Sequence, residues 1–302
     1  MLFDFEEDVK LALSRAANEI GFKVSPNLKL DDVILNYLTV RNKLIKSHKR
    51  NISINPEFSN EIEEHPKRNE ILEIIRISLS GGNLNIFQSK RLIQTNFHDH
   101  LLAQWNIYHF HLSLEKDKKS NFVKQIDWLL FAYVDNERII FLGANKHTPG
   151  IFGDKKWIEI LHDFFPKVIE QYKIEMTDVY PNVNSVENQM LWDKGYSLSM
   201  IKIRDVVYFN PGHGIMTSGH SSQLSSTTVD ILRWIYSLTS QIKESYNEIC
   251  EYIQLPVEEA SFKIRLGEET LELYEVKTGI ELLKFPSHLI SREELLARLK
   301  IK

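Results

Sequence analysis

Cysteine is nearly absent: Cys250 is the only one among 302 residues. A lone thiol excludes an internal disulfide and any zinc centre built on several thiolates, and it points to a reducing cytosol. Long hydrophobic runs are missing too. No apolar stretch reaches the ~18 residues needed to cross a bilayer. The leading MLFDFEEDVK carries acids where a secretory signal carries cations. A cytoplasmic protein with no membrane partner is expected. An excess of one charge is also lacking, since 37 Lys and Arg face 41 Asp and Glu for a net charge of −4. No whole-chain field therefore draws nucleic acid, and any such contact must be local. Repeats and low-complexity tracts are absent, which sets aside solenoids, propellers and long linkers. So are the GxxxxGK[ST] loop, the Rossmann and EF-hand patterns and a G-x-S-x-G elbow, which removes the usual kinase, dinucleotide and serine-hydrolase signatures. No cofactor is expected.

What is present is an ordinary folded composition, with 43% hydrophobic and 26% charged residues. The length allows two or three compact units. From Asp4 to about Arg91 apolar residues recur three and four apart, as in Val9, Leu13, Ala16 and Ile20, then Val33, Leu35, Leu38 and Leu44. A third helix is predicted over Asn60–Leu79, stopping at Gly81-Gly82. The pattern changes near Asn96. Gln104–Leu114, Trp128–Val134 and Ile139–Ala144 read as strands, the middle one apolar at consecutive positions as a central strand would be. Asp135-Asn136-Glu137-Arg138 supplies a tight turn, and DKKWIEILHDFFPKVIEQY a helix to cover one sheet face. A strand near Met176–Tyr180, a helix over Val186–Trp192 and a strand near Leu198–Val207 are expected to extend the same sheet. A polar loop, YFNPGHGIMTSGHSS, follows. Beyond it come an amphipathic helix over Thr227–Ile253, a hairpin around Gly267-Glu268-Glu269, a strand over Ile280–Phe285 and a final helix from about Arg292. The fold class is thus α+β: a helical N-terminal region (1–95), a central antiparallel sheet packed on helices (96–210) and a small C-terminal α+β unit (211–302).

Reactive side chains concentrate in FHDHLLAQWNIYHFHLSLEK, where His98, His100, His109 and His111 are four of the 11 histidines of the chain. On a strand, Trp105, Ile107, His109, His111 and Ser113 share one face and Tyr108, Phe110, Leu112 and Leu114 the other. His147 joins the first face if Gly143, Asn145 and His147 lie together at the end of the third strand. The hairpin roughly pairs position 147 with 126, whereas the longer Glu115–Gln125 loop leaves His111 either level with His147 or about four residues away. Three readings follow. The histidines act as general base and acid in metal-free cleavage of RNA, imidazole suiting both roles near neutrality. Alternatively His109 and His111 ligate a divalent metal with His147 or Asp99. In the third they are structural, paired inside a partly buried sheet. For the first, the cation that steadies a phosphate is sought in Arg204, Lys146 or the basic run VRNKLIKSHKRNIS, which holds Lys46, Lys49 and Arg50. That run also reads as a solvated helix end. His213 and His220 in the glycine-rich loop are further substrate-binding candidates. Cys250, on the long helix, reads as a buried small hydrophobe.

The run DHLLAQWNIYHFHL, with DWLLFAYVD, a third strand ending in His147 and the helix WIEILHDFFP, resembles a pattern found in uncharacterised bacterial proteins. Its order of helical lead, antiparallel sheet and polar residues on one face is also similar to the compact ribonucleases of the RelE-like toxin, barnase and colicin type. That resemblance implies endoribonuclease activity without a metal, in growth arrest or defence against phage. The expected function is therefore a toxin-like or phage-defence RNase using His109 and His111 as acid and base, supported by His147 and Asp99. The alternatives are a metal-dependent hydrolase on the same cluster, or a binding or scaffold protein that associates through the N-terminal helices or the 227–253 helix.

Overall fold

A computed structural model describes residues 3–25, 27–95, 99–212, 214–216, 219–267 and 270–285. In chain order the helices α1 (Phe5–Glu19) and α2 (Leu30–Lys43) precede a short strand, β1 (Asn51–Ile54), and the helices α3 (Pro56–Glu61) and α4 (Arg68–Ser80). Helix α5 (His100–Trp105) leads into β2 (Ile107–His111), β3 (Trp128–Val134) and β4 (Arg138–Lys146). Then come α6 (Lys156–Phe164), α7 (Pro166–Ile169), β5 (Lys173–Ile174), α8 (Ser185–Asp193), β6 (Met200–Ile203) and β7 (Val206–Phe209). The chain continues through α9 (Ser222–Glu244) and α10 (Tyr246–Tyr252) to β8 (Phe262–Leu266), β9 (Leu271–Glu275) and β10 (Glu281–Phe285). The class is α+β, as expected.

The compact units do not follow the three consecutive blocks expected from sequence. One unit joins residues 1–38 to 224–302, and the other is the continuous stretch 39–223. The reason lies in the apolar stripes. Val9 and Leu13 of α1 and Val33 and Ile34 of α2 are buried with Ile231, Ile235, Leu238 and Ile242 of α9 and with Phe262 and Leu273 of the antiparallel β8–β10 sheet. The α9 face that suggested self-association is therefore already covered by its own unit. The long helix breaks at Ser245, which separates α9 from α10. The final helix expected from Arg292, and Glu268 and Glu269 of the hairpin turn, lie outside the described residues.

In the continuous unit the sheet order is β1-β4-β3-β2. The β2-β3-β4 meander is antiparallel, while β1 adds a parallel edge strand in a region expected to be all helical. Asn51-Ile-Ser-Ile is a short alternating run, too brief to outweigh the helical pattern on either side. The predicted third helix divides at Pro66, whose ring forbids a continuous ladder, and α4 ends on Gly81 in the left-handed region as expected. Strand β3 is buried on both faces. Leu129, Phe131 and Tyr133 pack with Trp157 and Leu161 of α6, while Leu130, Ala132 and Val134 pack with Ile71 and Ile74 of α4. Strands β5, β6 and β7 form a second small antiparallel sheet instead of extending the first. The predicted single strand over Leu198–Val207 turns back at Arg204, which has φ 53°. The 176–180 segment is not a strand.

Candidate functional site

The predicted first strand begins later than expected. Asp99 caps α5 by accepting the Leu102 N–H at 3.0 Å, and Asn106 in the left-handed region ends the helix before β2 starts. The alternation then holds. Ile107 enters the core beneath α6, Tyr108 and Phe110 enter the opposite core, and His109 and His111 face the same side as Ile107. His111 is level with Leu129 and, through it, with Asn145. A one-residue bulge between Phe131 and Ala132 shifts the β3–β4 register, so the His147 N–H bonds the Asp127 carbonyl instead of lying opposite 126. His147 therefore stands two residues beyond the level of His111, about 7 Å along the strand. That falls between the two registers allowed by sequence.

The three imidazoles open onto one cleft of about 570 Å³ together with Asp99. His109 and His111 have ring centroids 6.2 Å apart, and Phe152 fills the gap between His109, at 5.0 Å, and His147, at 5.3 Å. Asp99 Oδ2 lies 3.1 Å from His109 Nδ1. The carboxylate sits off the line of the ring N–H, so this contact is an electrostatic pairing and not an aligned hydrogen bond. Burial pushes the Asp99 carboxyl up, but His109, the Leu102 N–H and His100 together outweigh it and hold the group below the usual carboxylate range. His111 donates from Nδ1 to the Ile126 carbonyl at 3.0 Å, the only role that a carbonyl partner permits, which leaves Nε2 with its lone pair. Burial drives this imidazole down to about 4, with the neighbouring His109 and His147 adding to the shift, so it is neutral at pH 7.

Of the cations sought for a phosphate, those nominated from sequence are elsewhere. Arg50 donates to the carbonyls of Asp135, Lys46 and His48, and His48 meets the Asn136 carbonyl, so the basic run holds the β3–β4 turn. That turn is about 17 Å along β3 from the level of His111. The backbone at His48 and Lys49 packs on Gly81, where a Cβ would come within 2.6 Å. Lys146 points to the other sheet face, over the ring of Trp128. Arg204 pairs with Asp163 at 2.9 Å beside the second sheet. His220 Nδ1 stands 3.4 Å from Thr39 Oγ1 and does not line the cleft, and His213 lies outside the described residues. The cation that does line the cleft is Arg91, on a 3-10 turn at Lys90–Ile93. From the basic run only Lys43 approaches the site: it is buried, donates to the Gln94 carbonyl at 2.7 Å, and is pulled down to about 8 by burial against the opposing pull of Asp99.

Sequence reasoning also missed the far wall, made by Phe152, His100 and the end of α8. His100 had a signal, since it stands beside Asp99 in the histidine-rich run. Nothing local marks α8, which reaches the cleft through a loop of the tertiary fold. Cys250 is buried in the other unit. Among the described residues no three His, Cys, Asp or Glu side chains are grouped to hold a metal ion, and no helix is long and apolar enough to cross a membrane. No known protein family, curated protein or solved structure matches this chain.

Proposed function

We propose that this cleft is an acid–base centre that cleaves single-stranded RNA without a metal. The observation that carries the reading is the meeting of His109, His111 and His147 with Asp99 and Arg91 on one solvent-reachable cleft. A neutral His111, its lone pair fixed on Nε2 by the Ile126 carbonyl, suits the base. It takes the 2′-hydroxyl proton as that oxygen attacks phosphorus. The bond from phosphorus to the 5′-oxygen breaks, and the departing oxygen receives a proton from a second imidazole, leaving a 2′,3′-cyclic phosphate. His109 fits the second role, because Asp99 pairs electrostatically beside Nδ1 and leaves Nε2 as the exchanging atom. Arg91 supplies the positive charge for the phosphate. A toxin-like or defence role follows only if RNA is the substrate.

The test is cleavage of an unstructured RNA in the presence of EDTA, with product ends identified. The wild-type chain is expected to yield 2′,3′-cyclic ends, and His111→Ala and His109→Ala to lose about 100-fold or more while remaining folded. Undiminished cleavage by folded His111→Ala removes the base assignment. Activity abolished by EDTA and restored by a divalent ion would move the site to the metal-hydrolase reading.

A further inference from the structure

Beyond the histidines the cleft wall is aromatic and ends in a single carboxylate. His100 lies flat on Trp192, with centroids 5.1 Å apart and planes 9° apart, and Phe152 contributes a half-buried ring. Trp192 is only 4% exposed and its indole N–H has no protein acceptor. Asp193 follows it as the last residue of α8 and is exposed at the cleft. Its side chain is held in place: Gln189 Nε2 donates to Asp193 Oδ1 at 2.8 Å, while Gln189 Oε1 accepts the Gly153 N–H at 2.8 Å. Both ends of the Gln189 amide are thus used, and its orientation is set by the backbone donor. Gly153 must be glycine for this arrangement, because a Cβ there would stand 2.8 Å from the Gln189 backbone nitrogen. The carboxylate is therefore offered to a ligand as an acceptor and nothing else.

Resting on the reading of the cleft as an RNA site, we propose that it seats one unstacked nucleobase against the His100–Trp192 pair, and that Asp193 selects bases that present an amino group, cytosine over uracil. A volume of about 570 Å³ suits a group of nucleotide size and excludes a duplex. Bases splayed from a single strand stack on aromatic and imidazole faces whatever their identity, so stacking supplies affinity without choice. Choice comes from the edge. Cytosine offers its N4 amino hydrogens to the Asp193 oxygen, whereas uracil puts a carbonyl oxygen in the same place, and two acceptors facing each other repel.

The experiment is calorimetric titration of the full chain with cytidine 3′-monophosphate and with uridine 3′-monophosphate, which read binding apart from cleavage. Cytidine 3′-monophosphate is expected to bind about tenfold tighter, and Asp193→Asn, whose amide both donates and accepts, to bring the two within about twofold. Equal binding of the two nucleotides by the wild-type chain overturns the selection by Asp193 and leaves the cleft a nucleotide site. Binding of neither overturns the selection and the RNA reading together. Tenfold discrimination that Asp193→Asn abolishes, in a chain that cleaves no RNA, upholds the base subsite and rejects only the catalytic reading.

Discussion

Burial has set the protonation of one histidine in advance. His111 is neutral because its ring is taken out of water, which outweighs the opposite pull of the Ile126 carbonyl bonded at Nδ1. Its folded value of about 4 lies below the ordinary 6.5, so between those two values the unfolded chain binds more protons than the folded one. Stability therefore falls as pH drops from about 6.5 to about 4, by on the order of 3 kcal/mol for this group. Urea denaturation at a series of pH values is expected to show that slope, and His111→Asn to flatten it. A slope unchanged in the variant would mean that another group carries it. The same shift gives a kinetic expectation: the acid limb of any cleavage profile should lie near pH 4 and not near 6.5. Asp99 does two jobs, capping α5 and pairing with His109. Asp99→Asn should preserve most of the cap, since asparagine is an equally good capping residue.

At the scale of elements, two small irregularities bring the site together. The bulge in the β3–β4 pair advances His147 by one position, and the packing of residues 210–212 on α5 holds the helix that carries Asp99. Gly212 donates to the Gln104 carbonyl, and a Cβ on it would stand 1.7 Å from the Ala103 carbonyl oxygen. Gly212→Ala should therefore destabilise the chain by about 2 kcal/mol or more, because a backbone atom and not a flexible side chain must give way. Chemical denaturation measures this directly, and a loss below about 0.5 kcal/mol, the range of a neutral surface change, would contradict the packing described. Little of this was readable in advance. The alternation of β2 placed His109 and His111 on one face correctly, and the continuous apolar run marked β3 as central. The bulge left one faint trace that the sequence reading did not use: its extra residue is Leu142 of β4, beside Gly143. The basic run misled because charge alone does not say whether an arginine meets a phosphate or, like Arg50, the carbonyls of a turn.

For the whole molecule, each unit has a core of its own. Ile235→Ala, in the core shared by α1, α9 and the β8–β10 sheet, should cost about 2–5 kcal/mol. Hydrogen exchange in the variant should quicken in α1 and β8–β10 and leave β2–β4 protected, whereas Phe131→Ala should do the reverse. Uniform acceleration in both variants would mean that the two cores melt as one cooperative unit. Periodicity alone determined much of this protein: the helices α1, α2, α4 and α9, the β2-β3-β4 meander, the α+β class and the face that carries two of its histidines. Those features are local, because a side chain's direction follows from its place in a helix or strand. Tertiary structure alone decided that the first 38 residues join the last 79, that Arg91 and not the basic run faces the histidines, and that α8 closes the cleft with Trp192 and Asp193. Those depend on which apolar faces find one another across long separations, and on a one-residue change of register, which spacing in the chain does not encode.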